Sequence, residues 1–367
     1  MQAGITRAPR LDNYSGGMTQ TYSWPMTLSH LLAGGNLSVD QATWAMSEIV
    51  SGNVTSAQLA GFLVALRAKG ETVDEVIGFR DAVLANAVAI DVSPRALDIV
   101  GTGGDQHKTV NVSTTASIVA AAAGVPVLKH GNRAASSASG SSDVLSALGV
   151  NLDIDAPSVA RVFNEAGLSF AFAAMFHPGF RHAGPTRTEL GIPTIFNILG
   201  PLCNPARTEA LAVGVASAER VPLIVGVLAS RDASALVFRG DNGLDELSTC
   251  GHSRIWEVSR GRVTEHDFDP RSVGISLATL DDIRGGEPAE NADIIRRTLA
   301  GETGPVRDIV MLNAAAGLVA FDLIDHADGV EVPLAERIEG KLAVAREAID
   351  SGAAAAKLDE WVAATNR

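Results

Sequence analysis

The chain has 367 residues, 46% of them hydrophobic, with 36 glycines and only 5% aromatic residues, which suits roughly two globular domains with sizeable cores. Its 42 acidic residues against 29 basic ones give a formal net charge of −13, which repels nucleic acid phosphate and anionic lipid and excludes both as expected partners. A polyanionic small substrate stays compatible where backbone N–H groups, a few Lys or Arg and a metal ion make a local pocket.

In chain order, residues 1–24 read as a polar, loosely ordered leader, with Arg7 and Arg10 but no apolar segment of a signal peptide; Met18 is an alternative start. Residues 25–93 read as a helical domain. Ser38-x-x-Gln41, Thr55-x-x-Gln58 and Thr72-x-x-Glu75 are capping boxes, each able to satisfy free N–H groups of a first helical turn. Leu59, Phe62, Leu63 and Leu66 follow at helical spacing, and Gly52 and Gly70 stand where helices stop. This part holds no obvious catalytic chemistry.

After Pro94 the pattern changes to short apolar runs at 97–100, 125–128, 211–215 and 236–238, which predict strands. Helices are predicted over 116–123, 144–148, 221–228 and 309–320, and an Ala-rich helical tail over 334–362. Such alternation predicts an α/β domain over 94–367 with a mostly parallel central sheet, with some residues from about 185–205 joining the helical domain. The longest apolar run, 116–128, is interrupted by Ser117, Gly124 and Pro126 and is too short to span a bilayer, so no membrane is expected. Cys203 and Cys250 offer neither a disulfide framework nor metal-ligand spacing, which points to a cytoplasmic protein.

Two segments have the chemistry of anion sites. The first runs Leu97-Asp-Ile-Val-Gly-Thr-Gly-Gly-Asp105 and continues through Lys108-Thr-Val-Asn-Val-Ser-Thr114 into a helix beginning near Thr115. Glycines let backbone N–H groups approach an anion, and a following helix N-terminus adds its positive end. The spacing is not that of a dinucleotide fingerprint, whose sixth place is Gln106 here, nor of a Walker A loop. A tight turn that needs flexible residues explains a lone glycine cluster equally well. The second segment places Lys129-His130-Gly131-Asn132-Arg133 at a strand end, followed by a serine-rich turn through Ser137 and Ser141; Ser142 reads as a cap for the next helix. Ligands of open parallel sheets bind beyond such strand ends.

Five motifs in order resemble the anthranilate phosphoribosyltransferase family: Gly-Thr-Gly-Gly-Asp (101–105), Asn-Val-Ser-Thr (111–114), Lys-His-Gly-Asn-Arg (129–133), Gly-Ile-Pro-Thr-Ile-Phe-Asn-Ile-Leu-Gly-Pro-Leu-Cys-Asn-Pro (191–205) and Gly-Leu-Asp-Glu-Leu-Ser (243–248). The resemblance runs from the helical region to the C-terminus. It implies an α/β enzyme with a small N-terminal helical domain, a glycosyltransferase moving the phosphoribosyl group of phosphoribosyl pyrophosphate (PRPP) to anthranilate in tryptophan biosynthesis. It also implies Mg²⁺ and a homodimer formed through the helical domain.

Carried over residue by residue, the resemblance assigns Gly101, Gly104, Asp105, Thr109, Asn111, Val112, Ser113 and Thr114 to PRPP, together with Lys129, Arg133, Ser137 and Ser141. Gly101, Asn132, His177 and Arg187 fall to anthranilate, and Ser113, Asp245 and Glu246 to magnesium. Lys129, Asp245 and Glu246 are the expected catalytic residues. Phe176, Pro178 and Phe180 are expected to offer apolar faces to an aromatic ring, and His130 and His177 are the candidate acceptors of the amine proton. Chemically, adjacent carboxylates suit a hard cation that keeps waters and phosphate oxygens, and a guanidinium suits a substrate carboxylate. Without the surrounding motif, Asp245-Glu246 would read as a solvated acidic turn and Arg187 as a partner of Glu189. Thr188 and Cys203 depart from the basic residue and the Thr common in the family. Two other functions fit parts of the pattern: a pyrimidine nucleoside phosphorylase, which would need neither the acidic pair nor Arg187, and a non-catalytic relative that binds nucleic acid, which the net charge opposes.

Overall fold

Each of the three capping boxes opens a helix. In a computed structural model that describes residues 22–133, 139–326 and 331–367, Ser38, Thr55 and Thr72 accept N–H bonds from Gln41, Gln58 and Glu75, whose side chains reach back. These helices are α2 (Val39–Val50), α3 (Ser56–Lys69) and α4 (Val73–Ala85), preceded by α1 (Trp24–Leu32) with Pro25 in its first turn. Of the expected leader, residues 1–21 lie outside those described, and Trp24 is the first residue of α1.

Seven strands follow: β1 (Leu97–Gly101), β2 (Val127–Gly131), β3 (Leu168–Phe172), β4 (Ala210–Gly214), β5 (Ser234–Gly240), β6 (Ser253–Ser259) and β7 (Arg262–Phe268), ordered β3-β2-β1-β4-β5-β6-β7. The pairs from β3 to β5 are parallel, and β6 and β7 add antiparallel at the edge. Along β1, β4 and β5 side chains alternate between two cores: Leu97, Ile99, Ala212 and Leu236 face one, Val100, Val213 and Val237 the other. The first core is closed by α5 (Val112–Ala122), α6 (Pro305–Asp322) and the C-terminal helices; the second takes in α1 to α4 and the 183–228 segment. A buried Arg220–Glu71 ion pair, 2.5 Å long, ties the α3–α4 corner to the chain just before the 221–230 helix.

Several expectations shift. The helix expected near Thr115 begins at Val112, so Val112, Ser113 and Thr114 form its first turn, where N–H groups have no partner within the helix. The strand at 125–128 sits two residues later, which brings Lys129 and His130 into β2. Ser142 is not a cap: its helix starts at Ser141, and Asp143 reaches back to accept the Gly140 N–H at 3.0 Å. The tail is two helices broken at Ser351-Gly352, where Gly352 takes φ 79°. Strands β3, β6 and β7 have no counterpart in the sequence reading.

Candidate active site

The strand order reverses at β1, which lies between β2 and β4, and the carboxyl ends of these strands frame a crevice where an open α/β sheet binds its ligand. Gly101 closes β1, Gly131 closes β2 and Gly214 closes β4. The Asp245–Glu246 turn is seated directly on two of them. A Cβ on Gly101 would lie 2.4 Å from the Asp245 Oδ2, and one on Gly214 would lie 1.7 Å from the Asp245 carbonyl oxygen. These glycines are required by close approach. From the other side, Asn313 of α6, fully buried, accepts the Leu247 N–H at 2.9 Å and donates to the Leu247 carbonyl at 2.9 Å. Asn313→Leu would strand both backbone groups without water, so a loss of roughly 2–4 kcal/mol in unfolding free energy is expected in urea titration. An unchanged midpoint would show that this clamp is dispensable.

Around this turn the structure gathers Asp105, Ser113 and Lys129 of the polar residues that the sequence singled out. Gly103 donates its N–H to the Asp245 Oδ2 at 2.6 Å, and the Ser113 N–H, in the first turn of α5, donates to Glu246. Burial raises both carboxyls above their ordinary range, Asp245 raises Glu246 further, and the neighbouring Asp105 raises both. Lys129, 2% exposed, donates from Nζ to the Ile99 carbonyl and to the Ser113 Oγ at 3.2 Å. Burial lowers its pKa, opposed by Asp98, Glu246 and Asp245. Three carboxyls thus face one ammonium and a helix N-terminus, a site short of positive charge. Among the described residues no group of three or more His, Cys, Asp and Glu forms a metal cage. A donor set of two carboxylates and the Ser113 hydroxyl still fits a hard cation that takes its other oxygens from phosphate and water.

Other predicted residues sit on the loops that follow β1 and β2. Gly103 and Gly104 take φ of 68° and 87°, turning the loop back past Asp105, whose Oδ1 accepts the His107 N–H at 3.2 Å. Thr109 bridges to Arg284. Val112 and Thr114 are buried. Asn111 donates from Nδ2 to the Ser139 carbonyl at 3.0 Å, which links the glycine loop to the serine turn. Asn132 and Arg133 are exposed, and the Ser141 Oγ donates to the Asn132 carbonyl at 3.3 Å. Ser137 lies outside the described residues.

From the end of β2 a row of rings leads away from this centre. His130 meets His177 at 5.0 Å between centroids, His177 stacks on Phe180 at 5.2 Å, and Phe180 packs edge-on against Phe196 at 5.6 Å. The Arg187 guanidinium sits 4.9 Å over Phe196, half-buried. Among the described residues no carboxylate lies within ion-pair reach of Arg187, so the surface pairing with Glu189 is absent. Burial lowers the pKa of this uncompensated cation. Two expectations change here. Phe176 is 2% exposed in a core with Ile90 and Val159, so it offers no face to a ligand. His177 is 3% exposed with Nε2 2.9 Å from the Cys203 carbonyl, while His130 Nδ1 lies 3.0 Å from the Gly200 carbonyl; the two imidazoles anchor the 200–203 segment. Burial holds both neutral, His130 down to about 3 and His177 to about 4.

The sequence reading missed Gly214, Asn313 and the buried Asp98–Asn204 pair. Asn204 donates to the Asp98 Oδ2 at 2.9 Å and to the Leu128 carbonyl at 2.8 Å, locking the 200–206 segment under β1 and β2. Only Asn204 left a signal, as part of the 191–205 motif.

Comparison with known proteins agrees with this geometry. Residues 26–87 match the helical bundle domain of the glycosyl transferase family, and residues 93–355 match its a/b domain. The chain is 62% identical over 348 residues to the anthranilate phosphoribosyltransferase of Leifsonia xyli subsp. xyli, covering 95% of this chain and 100% of that relative. It is 55% identical over 344 residues to the enzyme of that name from Streptomyces griseus subsp. griseus, covering 94% and 96%. The crystal structure of anthranilate phosphoribosyltransferase from Thermus thermophilus superposes with a TM-score of 0.84 at 40% identity, covering 93% of this chain and 99% of that one. The Saccharomyces cerevisiae enzyme in complex with PRPP and Mg gives 0.84 at 28% identity, covering 94% and 98%. The chain belongs to the anthranilate phosphoribosyltransferase family.

Proposed function

We propose that this enzyme transfers the 5-phosphoribosyl group of PRPP to the amine of anthranilate, releasing pyrophosphate, with Mg²⁺ as cofactor, in tryptophan biosynthesis. The observation that carries this reading is the buried Asp245–Glu246 doublet, set against the β1 and β4 glycines and facing Lys129 and the first turn of α5. A phosphorylase that uses free phosphate needs no such doublet and no lone guanidinium over an aromatic ring. The reading is supported by the Saccharomyces cerevisiae complexes with PRPP and Mg and with 4-fluoroanthranilate.

In the proposed reaction the anthranilate nitrogen bonds to the anomeric carbon of the ribose as the bond from that carbon to pyrophosphate breaks, and the amine gives up a proton. When bound, Mg²⁺ neutralises charge on the departing diphosphate; Asp245, Glu246 and the Ser113 hydroxyl are the residues that would hold it. Lys129 spends two of its three N–H bonds on Ile99 and Ser113, leaving one for a phosphate oxygen. The 112–114 turn, at the positive end of α5, with Gly101, Gly104, Asp105, Thr109 and Asn111, receives the diphosphate, and Arg133, Ser137 and Ser141 are the further PRPP residues of this reading. Gly101, Asn132, the ring row ending in Phe196 and Arg187 orient the aromatic amine. His130 and His177 are buried, held neutral and each spend a ring nitrogen on a backbone carbonyl, so the route of this reading for the proton is to water. His177 then acts on anthranilate through Phe180 and the 200–203 segment.

The same reading divides the chain into a helical domain over 25–93, joined by residues of 185–205, and an α/β domain over 94–367. Exposed Met26, Leu32 and Val64, at 65%, 78% and 44%, support a homodimer through the helical domain. Among the described residues no helix is long and apolar enough to cross a membrane, and with two unpaired cysteines the reading places the enzyme in the cytoplasm.

The direct test is loss of anthranilate fluorescence on adding PRPP. It should require both PRPP and Mg²⁺ and stop with EDTA; persistence in EDTA would remove the metal role, and no loss at all would remove the reaction. Arg187→Ala should raise the anthranilate KM on the order of 30-fold, about 2 kcal/mol for a truncated charge pair, with the PRPP KM roughly unchanged. A rise in the PRPP KM instead would assign Arg187 to the other substrate.

A further inference from the structure

Residues 281–291 belong to none of the motifs above, yet they grip the glycine loop over residues 108–112, where it enters α5. The Val110 N–H donates to the Ile283 carbonyl at 3.0 Å, the Gly285 N–H donates to the Lys108 carbonyl at 2.9 Å, and Thr109 pairs antiparallel with Arg284 between them. Ile283 packs in one small core with Val110 and Val112 of the loop and Leu244 of the acidic turn. Asn291, in the first turn of the 288–299 helix and 1% exposed, closes the strap. Its Oδ1 accepts the Gly286 N–H at 2.8 Å, and its Nδ2 donates to the Asn111 Oδ1 at 2.9 Å. Asn111 in turn donates to the Ser139 carbonyl. The contact is close: a Cβ on Gly285 would lie 2.7 Å from the Asn291 Oδ1 and 2.9 Å from the Thr109 carbonyl.

We propose that Asn291 is a positioning residue for the sugar-donor site. Its amide fixes Asn111 so that the glycine loop and the serine turn stay joined at the spacing the diphosphate needs. Asn111 could otherwise spend its side chain as an ordinary cap of α5, which it does not do. The proposal rests on the phosphoribosyl-transfer reading for its substrate, but the strap itself is independent of it.

Asn291→Asp tests it selectively, because the carboxylate keeps an acceptor for the Gly286 N–H and loses the donor to Asn111. The PRPP KM should rise roughly tenfold, the effect of one lost hydrogen bond, while the anthranilate KM changes by less than about twofold. Adding Asn291→Asp to Asn111→Ala should cost less than about twofold more, since one acts through the other. Independent penalties would overturn the proposal. Backbone amide exchange read without substrates supplies a second arm: in Asn291→Asp, amides of 108–112 and 139–142 should exchange at least roughly fivefold faster. Unchanged exchange would overturn the strap whatever reaction the enzyme runs. Accelerated exchange in a protein whose wild type leaves anthranilate and PRPP untouched would keep the strap and sink the transfer reading. Gly285→Ala, whose Cβ would press on both the Thr109 carbonyl and the Asn291 amide without adding a charge, gives the same exchange test should the charged variant not fold.

Discussion

Asp245→Asn and Glu246→Gln are each expected to lower turnover at fixed magnesium by roughly 10²–10³, the usual cost of removing one preorganised electrostatic element. The metal-free proteins should at the same time be no less stable than wild type. Both carboxyls lie buried beside each other and beside Asp105, so neutralising either one relieves repulsion in the absence of a cation. The sign of the pH dependence follows. A carboxyl whose folded pKa is raised holds its proton more tightly in the folded protein than in the unfolded chain. Metal-free stability therefore falls as pH rises from the ordinary carboxylate range near 4 toward neutrality. Metal requires the deprotonated form, so the Mg²⁺ concentration for half-maximal activity should fall as pH rises across the same window and beyond. Activity titrated with Mg²⁺ at about pH 6 and about pH 8, beside thermal unfolding in EDTA, reads both halves. Magnesium curves unchanged in both variants would remove the acidic pair from the metal site.

Lys129→Met carries the second large effect, a loss in turnover of roughly 10²–10³. Methionine fills nearly the same volume but leaves Asp98, Asp245 and Glu246 facing each other without the ammonium that offsets them. The carboxyls then answer by holding protons, so the variant should need more Mg²⁺ as well as turn over slowly. Lys129→Arg should rescue little, because a planar guanidinium cannot occupy the compact pocket between the Ile99 carbonyl and the Ser113 hydroxyl. Turnover within about threefold of wild type in Lys129→Met would mean that the ammonium serves only packing.

What was legible in the sequence was whatever rested on local chemistry. The capping boxes at Ser38, Thr55 and Thr72 are complete within four residues, and the β1 loop announces itself by its glycines. Strand β7 was illegible because its residues are mostly exposed at the sheet edge, and its hairpin partner β6 breaks its apolar residues Ile255, Trp256 and Val258 with Arg254 and Glu257; the Arg260–Gly261 turn, with φ of 44° and 74°, marks the reversal. The start of α5 was placed late because Asn111 spends its side chain on Ser139 and Asn291 instead of capping its own helix, a choice made 28 and 180 residues away. Gly214 and Asn313 were missed for the same reason: nothing near them in the chain says that the Asp245 turn will rest on one and be clamped by the other. Phe176 was misread because an aromatic beside a loop looks available until β3 and its neighbours bury it.

The most direct measurement is diffraction from crystals grown with PRPP and Mn²⁺, in which the anomalous signal locates the cation. A peak is expected at direct coordination distance from Asp245 or Glu246, with the diphosphate against the 101–114 loop and within reach of Lys129. A sugar donor seated away from both the loop and the carboxylates, or a cation bound to neither, would contradict it.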